Sequence, residues 1–169
     1  MSNCTIPFFK IEAYLLFLGT ALFPIYVFSS GSVQPAHVIL ALFASIVLAK
    51  NGVPFPNWAL GLLATVGYVF AVESFYIAKG GNPDYLINSI YFMYNFVLSV
   101  AVFSFCRREG LFPIAAGIVV AGTICLVTIL FVVVDGGGGS RFVGTFNNPN
   151  QLGYFSVCLM SIAYLVYRL

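Results

Sequence analysis

Residues 111–134 read L-F-P-I-A-A-G-I-V-V-A-G-T-I-C-L-V-T-I-L-F-V-V-V, an unbroken apolar run without a charged side chain. A hydrocarbon core about 30 Å thick is crossed by a helix of about 20 apolar residues, and this run is long enough. Four further runs approach the same length, at 12–28, 58–77, 85–105 and 151–167, and a shorter one from 33 to 49 ends at Lys50. Turn chemistry separates them: Ser29-Ser30-Gly31-Ser32, Asn51-Gly52-Val53-Pro54-Phe55-Pro56, Gly80-Gly81-Asn82-Pro83, Arg107-Arg108-Glu109-Gly110 and the long stretch 135–148. The runs are continuous and lack the two-residue alternation of a membrane barrel. The expected fold is an all-α, polytopic integral membrane protein of about six transmembrane helices, forming a single helical domain over residues 1–169.

Composition points the same way. The 169 residues are 61% hydrophobic and only 7% charged, with a mean hydropathy of +1.02. Soluble domains carry about 25% charged residues, so too few polar groups remain here to cover a water-soluble fold. The same figures exclude a disordered chain, a nucleic-acid-binding surface, a collagen-like repeat and a disulfide scaffold. The four cysteines, Cys4, Cys106, Cys125 and Cys158, show no C-x-x-C spacing and no histidine at ligand distance. They are expected to be free thiols, with no metal site. Glu12 and the lack of a small-residue cleavage site argue that the first run is a retained helix and not a cleaved leader.

Sidedness follows from the basic residues. Alternate loops place Lys10, Lys50, Arg107, Arg108 and Arg168 on one side, and Lys79 and Arg141 on the other. The first side is therefore expected to be cytoplasmic, with both termini inside and the 135–148 loop facing outward. Asn3-Cys4-Thr5 fits a glycosylation sequon but falls on the inner side.

One polar segment carries chemistry. Residues 140–154 read S-R-F-V-G-T-F-N-N-P-N-Q-L-G-Y. Asn148 suits a helix N-cap, Pro149 the first helical position, and Gln151 stands three residues beyond the cap. A helix start offers unpartnered N–H groups and partial positive charge, which together favour an anion. Arg141 ends a glycine run flexible enough to fold back over that site, and its guanidinium binds phosphate oxygens bidentately. Thr145, Asn147 and Asn150 add donors and acceptors suited to a sugar or a phosphate. The plain alternative is a capped helix preceded by a loop whose arginine snorkels to lipid phosphates.

The order R-x-x-G-T-F-N-N-P-N-Q-L-G resembles the signature of the O-antigen ligase and O-antigen polymerase family of bacterial envelope proteins. The matching positions are Arg141, Gly144, Phe146, Asn148, Pro149 and Asn150. The resemblance covers this short segment, and the remaining spans match only as hydrophobic helices. It implies a multi-pass protein of the bacterial inner membrane whose motif loop faces the periplasm or cell exterior. The implied activity is a metal-independent, inverting glycosyl transfer without a cofactor. A polyprenyl-diphosphate-linked glycan would be the donor, and an envelope saccharide or lipid A core the acceptor. Arg141 would be the catalytic clamp on the departing diphosphate. Gly144, Thr145, Asn147, Asn148 and Asn150 would shape the loop and contact substrate. Family members are considerably longer, with further helices and a periplasmic loop carrying additional Arg and His. The chain is thus expected to be the amino-terminal part of a longer protein.

The remaining polar residues have plainer roles open to them. Glu73, near the outer end of the third span, is a candidate contributor to the outward site or a partner of Lys79. His37 matches no family motif, Asp135 can pair with Arg141 or cap the loop, and Arg107-Arg108 reads as a topology anchor. A small-solute transporter subunit is the alternative of a different class, and an inactive truncated remnant the third reading. A transporter holds polar groups and broken helices near the bilayer midplane, and the middles of these spans carry almost none.

Overall fold

The computed structural model describes residues 10–28 and 33–134, together with 156, 157 and 160. Among these residues the regular structure is entirely helical: α1 (Ile11–Ala21), α2 (Pro35–Asn51), α3 (Asn57–Ala78), a 3₁₀ turn (Pro83–Tyr85), α4 (Leu86–Glu109) and α5 (Phe112–Val134). Three helical stretches are long and apolar enough to cross a membrane: Asn57–Ala78, Pro83–Glu109 and Phe112–Phe131. The first two apolar runs form shorter helices, of 11 and 17 residues. The sixth expected span falls outside the described residues except at 156, 157 and 160, which are helical. The expected outward loop 135–148 lies outside them altogether.

Helix α1 stops well short of the run 12–28, and Pro24 is the cause. A proline there has no N–H to donate to the Thr20 carbonyl, and its ring crowds that oxygen. The Phe23 N–H takes the Thr20 carbonyl instead, at 3.3 Å, and the chain leaves the helix. Buried Gln34 ties down the irregular chain beyond Pro24. Its Oε1 accepts from the backbone N–H groups of Val27 and Phe28 at 3.0 and 3.1 Å, and its Nε2 donates to the Phe28 carbonyl at 3.1 Å.

The chain divides into two compact units. The first contains α1, α2 up to Leu42, and α5; the second contains the rest of α2 with α3 and α4. In the first unit, α1 packs on α5. The buried positions of α5 recur every four residues at Pro113, Gly117, Ala121 and Cys125, all small side chains on one face. They bring the helix backbones together. A Cβ added at Gly117 would stand 1.8 Å from Thr20 Oγ1 and 2.7 Å from the Phe17 carbonyl oxygen. The Thr20 hydroxyl donates within its own helix, to the carbonyls of Leu16 and Phe17 at 2.8 and 2.9 Å. Close approach through small residues is how helices associate in lipid, where burial of apolar surface supplies no drive.

In the second unit, α3 and α4 pack as an antiparallel pair. Helix α3 closes with Gly80 at φ +87°, a left-handed position that glycine enters without Cβ strain. The Gly80 N–H donates to the Ile77 carbonyl at 2.9 Å and the Gly81 N–H to the Tyr76 carbonyl at 3.0 Å. The Asn82 side chain then accepts from the Asp84 N–H at 2.9 Å and starts the turn into α4. The outer faces remain apolar: Tyr68 is 70% exposed, Ile90 67% and Val119 67%. Exposed apolar surface of this extent, on helices long and apolar enough to cross a membrane, suits a lipid bilayer.

Candidate functional site

Of the residues singled out in the sequence, Arg141, Gly144, Thr145, Asn147, Asn148 and Asn150 lie outside the described residues, as does Asp135. Glu73 and His37 are described, and each has a defined set of contacts.

Glu73 reaches from α3 to the first turn of α4. Its carboxylate accepts from the backbone N–H of Ser89 at 3.1 Å and from the Ser89 hydroxyl. Ser89 is 6% exposed. The first N–H groups of a helix lack partners in their own helix and carry partial positive charge, so a carboxylate there is stabilising. Sequence allowed Glu73 two destinations, the outward site or Lys79. The structure sends it to Ser89, while Lys79 Nζ lies over the Phe75 ring at 5.6 Å. Ser89 carries no sequence signal of this role, because its partner is sixteen residues away across a turn.

Beside this contact lies an apolar groove of about 650 Å³ between α3 and α4. Leu63, Val66 and Phe70 line one wall, and Leu86, Ile90 and Met93 the other, with Ser89 the polar residue among them. Gly67 widens the groove, since nothing lies within 4 Å of the place its Cβ would occupy. The trough suits a hydrocarbon chain, with polar atoms at the Glu73–Ser89 contact.

His37 belongs to the first unit. Its Nδ1 accepts from the Gln34 backbone N–H at 3.0 Å, and its ring meets Phe23 edge-on at 6.3 Å. The imidazole therefore caps the start of α2. Among the described residues no group of His, Cys, Asp and Glu side chains could hold a metal ion. Cys106 and Cys125 form no disulfide, and Cys4 and Cys158 lie outside the described residues.

Three threonine hydroxyls inside the spans are satisfied locally. Thr65 donates to the Gly61 carbonyl at 3.0 Å, Thr123 to Val119 at 2.9 Å and Thr128 to Ile124 at 2.8 Å. Each returns its proton to the preceding turn of its own helix. Comparison with protein-family models, with curated proteins and with solved structures finds no match.

Proposed function

We propose that this chain is part of a membrane glycosyltransferase of the O-antigen ligase or polymerase type. It would transfer a glycan from a polyprenyl diphosphate to an envelope saccharide or lipid A core, on the outer face of the bacterial inner membrane. The observation that carries the proposal is the segment Arg141 to Gly153, R-F-V-G-T-F-N-N-P-N-Q-L-G. Arg141 is assigned to the departing diphosphate. As the anomeric C–O bond breaks, charge builds on that group, and a fixed guanidinium near a helix start stabilises the transition state more than the ground state. Gly144, Thr145, Asn147, Asn148 and Asn150 are assigned to the loop and the sugar contacts. The reading keeps six spans with both termini in the cytoplasm.

Two features support a lipid-linked substrate. Three helical stretches are of membrane length, and the α3–α4 groove offers an apolar bed for an isoprenoid chain. The hydroxyls of Thr65, Thr123 and Thr128, each bonded within its own helix, weigh against the transporter alternative, which needs polar groups turned toward a solute path.

The test is surface-glycan transfer in cells carrying Arg141→Ala or Arg141→Lys, with membrane insertion checked by fractionation. Arg141→Ala is expected to abolish transfer and Arg141→Lys to impair it strongly, because an ammonium cannot reproduce the bidentate fork. Activity retained in both variants overturns the assignment.

A further inference from the structure

The α3–α4 unit has a second cavity, at the opposite end from Glu73. It measures about 400 Å³ and is enclosed by the segment 51–54, Ser104 and the arginine pair Arg107 and Arg108. The sequence reads these arginines as a topology anchor, but their geometry is more specific. Arg108 Nη1 donates to Asn51 Oδ1 at 2.8 Å. The Arg107 guanidinium lies 5.6 Å from the centre of the Phe103 ring, and that ring packs edge-on against Trp58 at 5.2 Å. Both guanidinium groups are thus held by neutral partners, an amide and an aromatic face, and neither has a carboxylate partner among the described residues. Gly52, at φ +70°, turns the chain sharply out of α2 and shapes the wall opposite the arginines.

We infer that this cavity binds a phosphate-bearing anion, such as the headgroup of an anionic phospholipid at the membrane surface. Two fully charged donors are oriented without being neutralised, and a guanidinium fork matches phosphate oxygens. Helices α2 and α4 both end here, at Asn51 and Glu109, and their carbonyl ends oppose an anion. Each helix end contributes only about half an elementary negative charge, and the charges of Lys50 and Glu109 at the same two ends offset each other, so the two guanidinium groups leave the cavity net positive. Ser104, buried at 5% exposure, contributes a hydroxyl to the lining. Basic cavities between membrane helices are a recurrent setting for anionic lipid headgroups.

The experiment compares thermal unfolding of the full chain in phosphatidylcholine nanodiscs with and without added phosphatidylglycerol. The wild type is expected to gain about 4 °C or more when the anionic lipid is present. R107Q/R108Q should lose most of that gain. Asn51→Ala, which removes no charge, should lose part of it by releasing Arg108. Lys79→Gln, a basic residue at the other end of the unit, should keep it in full. Unfolding in phosphatidylcholine alone shows that each variant folds. A second arm adds inorganic phosphate to lipid-free micelles, against chloride at equal ionic strength. A rise there that R107Q/R108Q abolishes assigns the site to free phosphate, and a flat response beside an intact lipid effect assigns it to the headgroup. The inference is overturned if R107Q/R108Q keeps the phosphatidylglycerol gain, or if Lys79→Gln loses as much as the arginine variant.

Discussion

Replacing Gly117 by alanine tests the packing of α1 on α5. The added carbon would stand 1.8 Å from Thr20 Oγ1, 2.9 Å from Thr20 Cβ and 2.7 Å from the Phe17 carbonyl oxygen. The hydroxyl can swing aside, at the expense of its bonds to Leu16 and Phe17, but the Phe17 carbonyl belongs to the backbone and cannot. Ordinary contacts begin at about 3.5 Å, so the helices must part by about 0.8 Å. A gap of that size forfeits roughly a quarter to a half of each facing contact. Overfilling a packed seam costs about 1–3 kcal/mol, and a backbone-limited clash belongs near the upper end. Cys125 reports on the same seam, since it is 5% exposed and lies two turns along the same face. Its labelling by a thiol reagent in micelles, read at that site by mass spectrometry, tracks opening of the α1–α5 pair. A loss of about 2–3 kcal/mol corresponds to labelling about 30- to 150-fold faster. Thr20→Ala removes the nearest obstacle but leaves the Phe17 carbonyl, so the double variant should label more slowly than the two single effects combined, by a coupling of about 1 kcal/mol. Unchanged labelling in Gly117→Ala, or strict additivity in the double variant, would refute the close-approach account.

Local geometry sets three further outcomes. Glu73→Ala strips the acceptor from a buried N–H and hydroxyl at Ser89. It should destabilise the α3–α4 unit by about 1.5–3 kcal/mol in micelle unfolding, and Glu73→Gln, which keeps an acceptor, by distinctly less. Gln34→Ala leaves the Val27 and Phe28 N–H groups without their acceptor and should cost about 1–3 kcal/mol, seen as faster proteolysis between Pro24 and Gln34. Gly80→Ala puts a Cβ on left-handed backbone and should cost about 1–2 kcal/mol, whereas Gly61→Ala, in open space within α3, should stabilise by about 0.5–1 kcal/mol. A stability equal to wild type at Gly80→Ala would mean that α3 ends in another way.

The helices and their breaks were legible because they depend on neighbouring residues. Asn82-Pro83 marks the turn that the structure places at the entry of α4, whereas of the expected break at 107–110 only Gly110 leaves the helix, Arg107, Arg108 and Glu109 forming the last turn of α4. The early end of α1 was equally local, but hydropathy counts Pro24 as one more apolar-flanked residue and overlooks its missing N–H. What remained hidden depends on pairs distant in the chain. Glu73 meets Ser89 across the α3–α4 turn, and Arg108 meets Asn51 from 57 residues away. A charge count assigns such residues to a side of the membrane and says nothing of their partners. The motif at Arg141 reads from sequence alone, as the described residues do not include it.

The two units answer the same physical problem with different devices. In water, helices associate by removing apolar surface from solvent, but Tyr68, Phe75, Val119 and Phe131 are all more than half exposed and gain nothing by moving from lipid to protein. The association must therefore come from what lipid cannot supply. In the α1–α5 pair it is backbone proximity, which only Gly117 and its small neighbours permit. In the α3–α4 pair it is a carboxylate set against the start of a helix, an interaction strengthened where water is scarce. Mutational sensitivity should accordingly concentrate at Gly117, Thr20, Glu73 and Ser89, while the bulky residues of the outer faces exchange freely among apolar types. Thr65, Thr123 and Thr128 belong with the tolerant set despite their polarity, since each hydroxyl is bonded within its own helix.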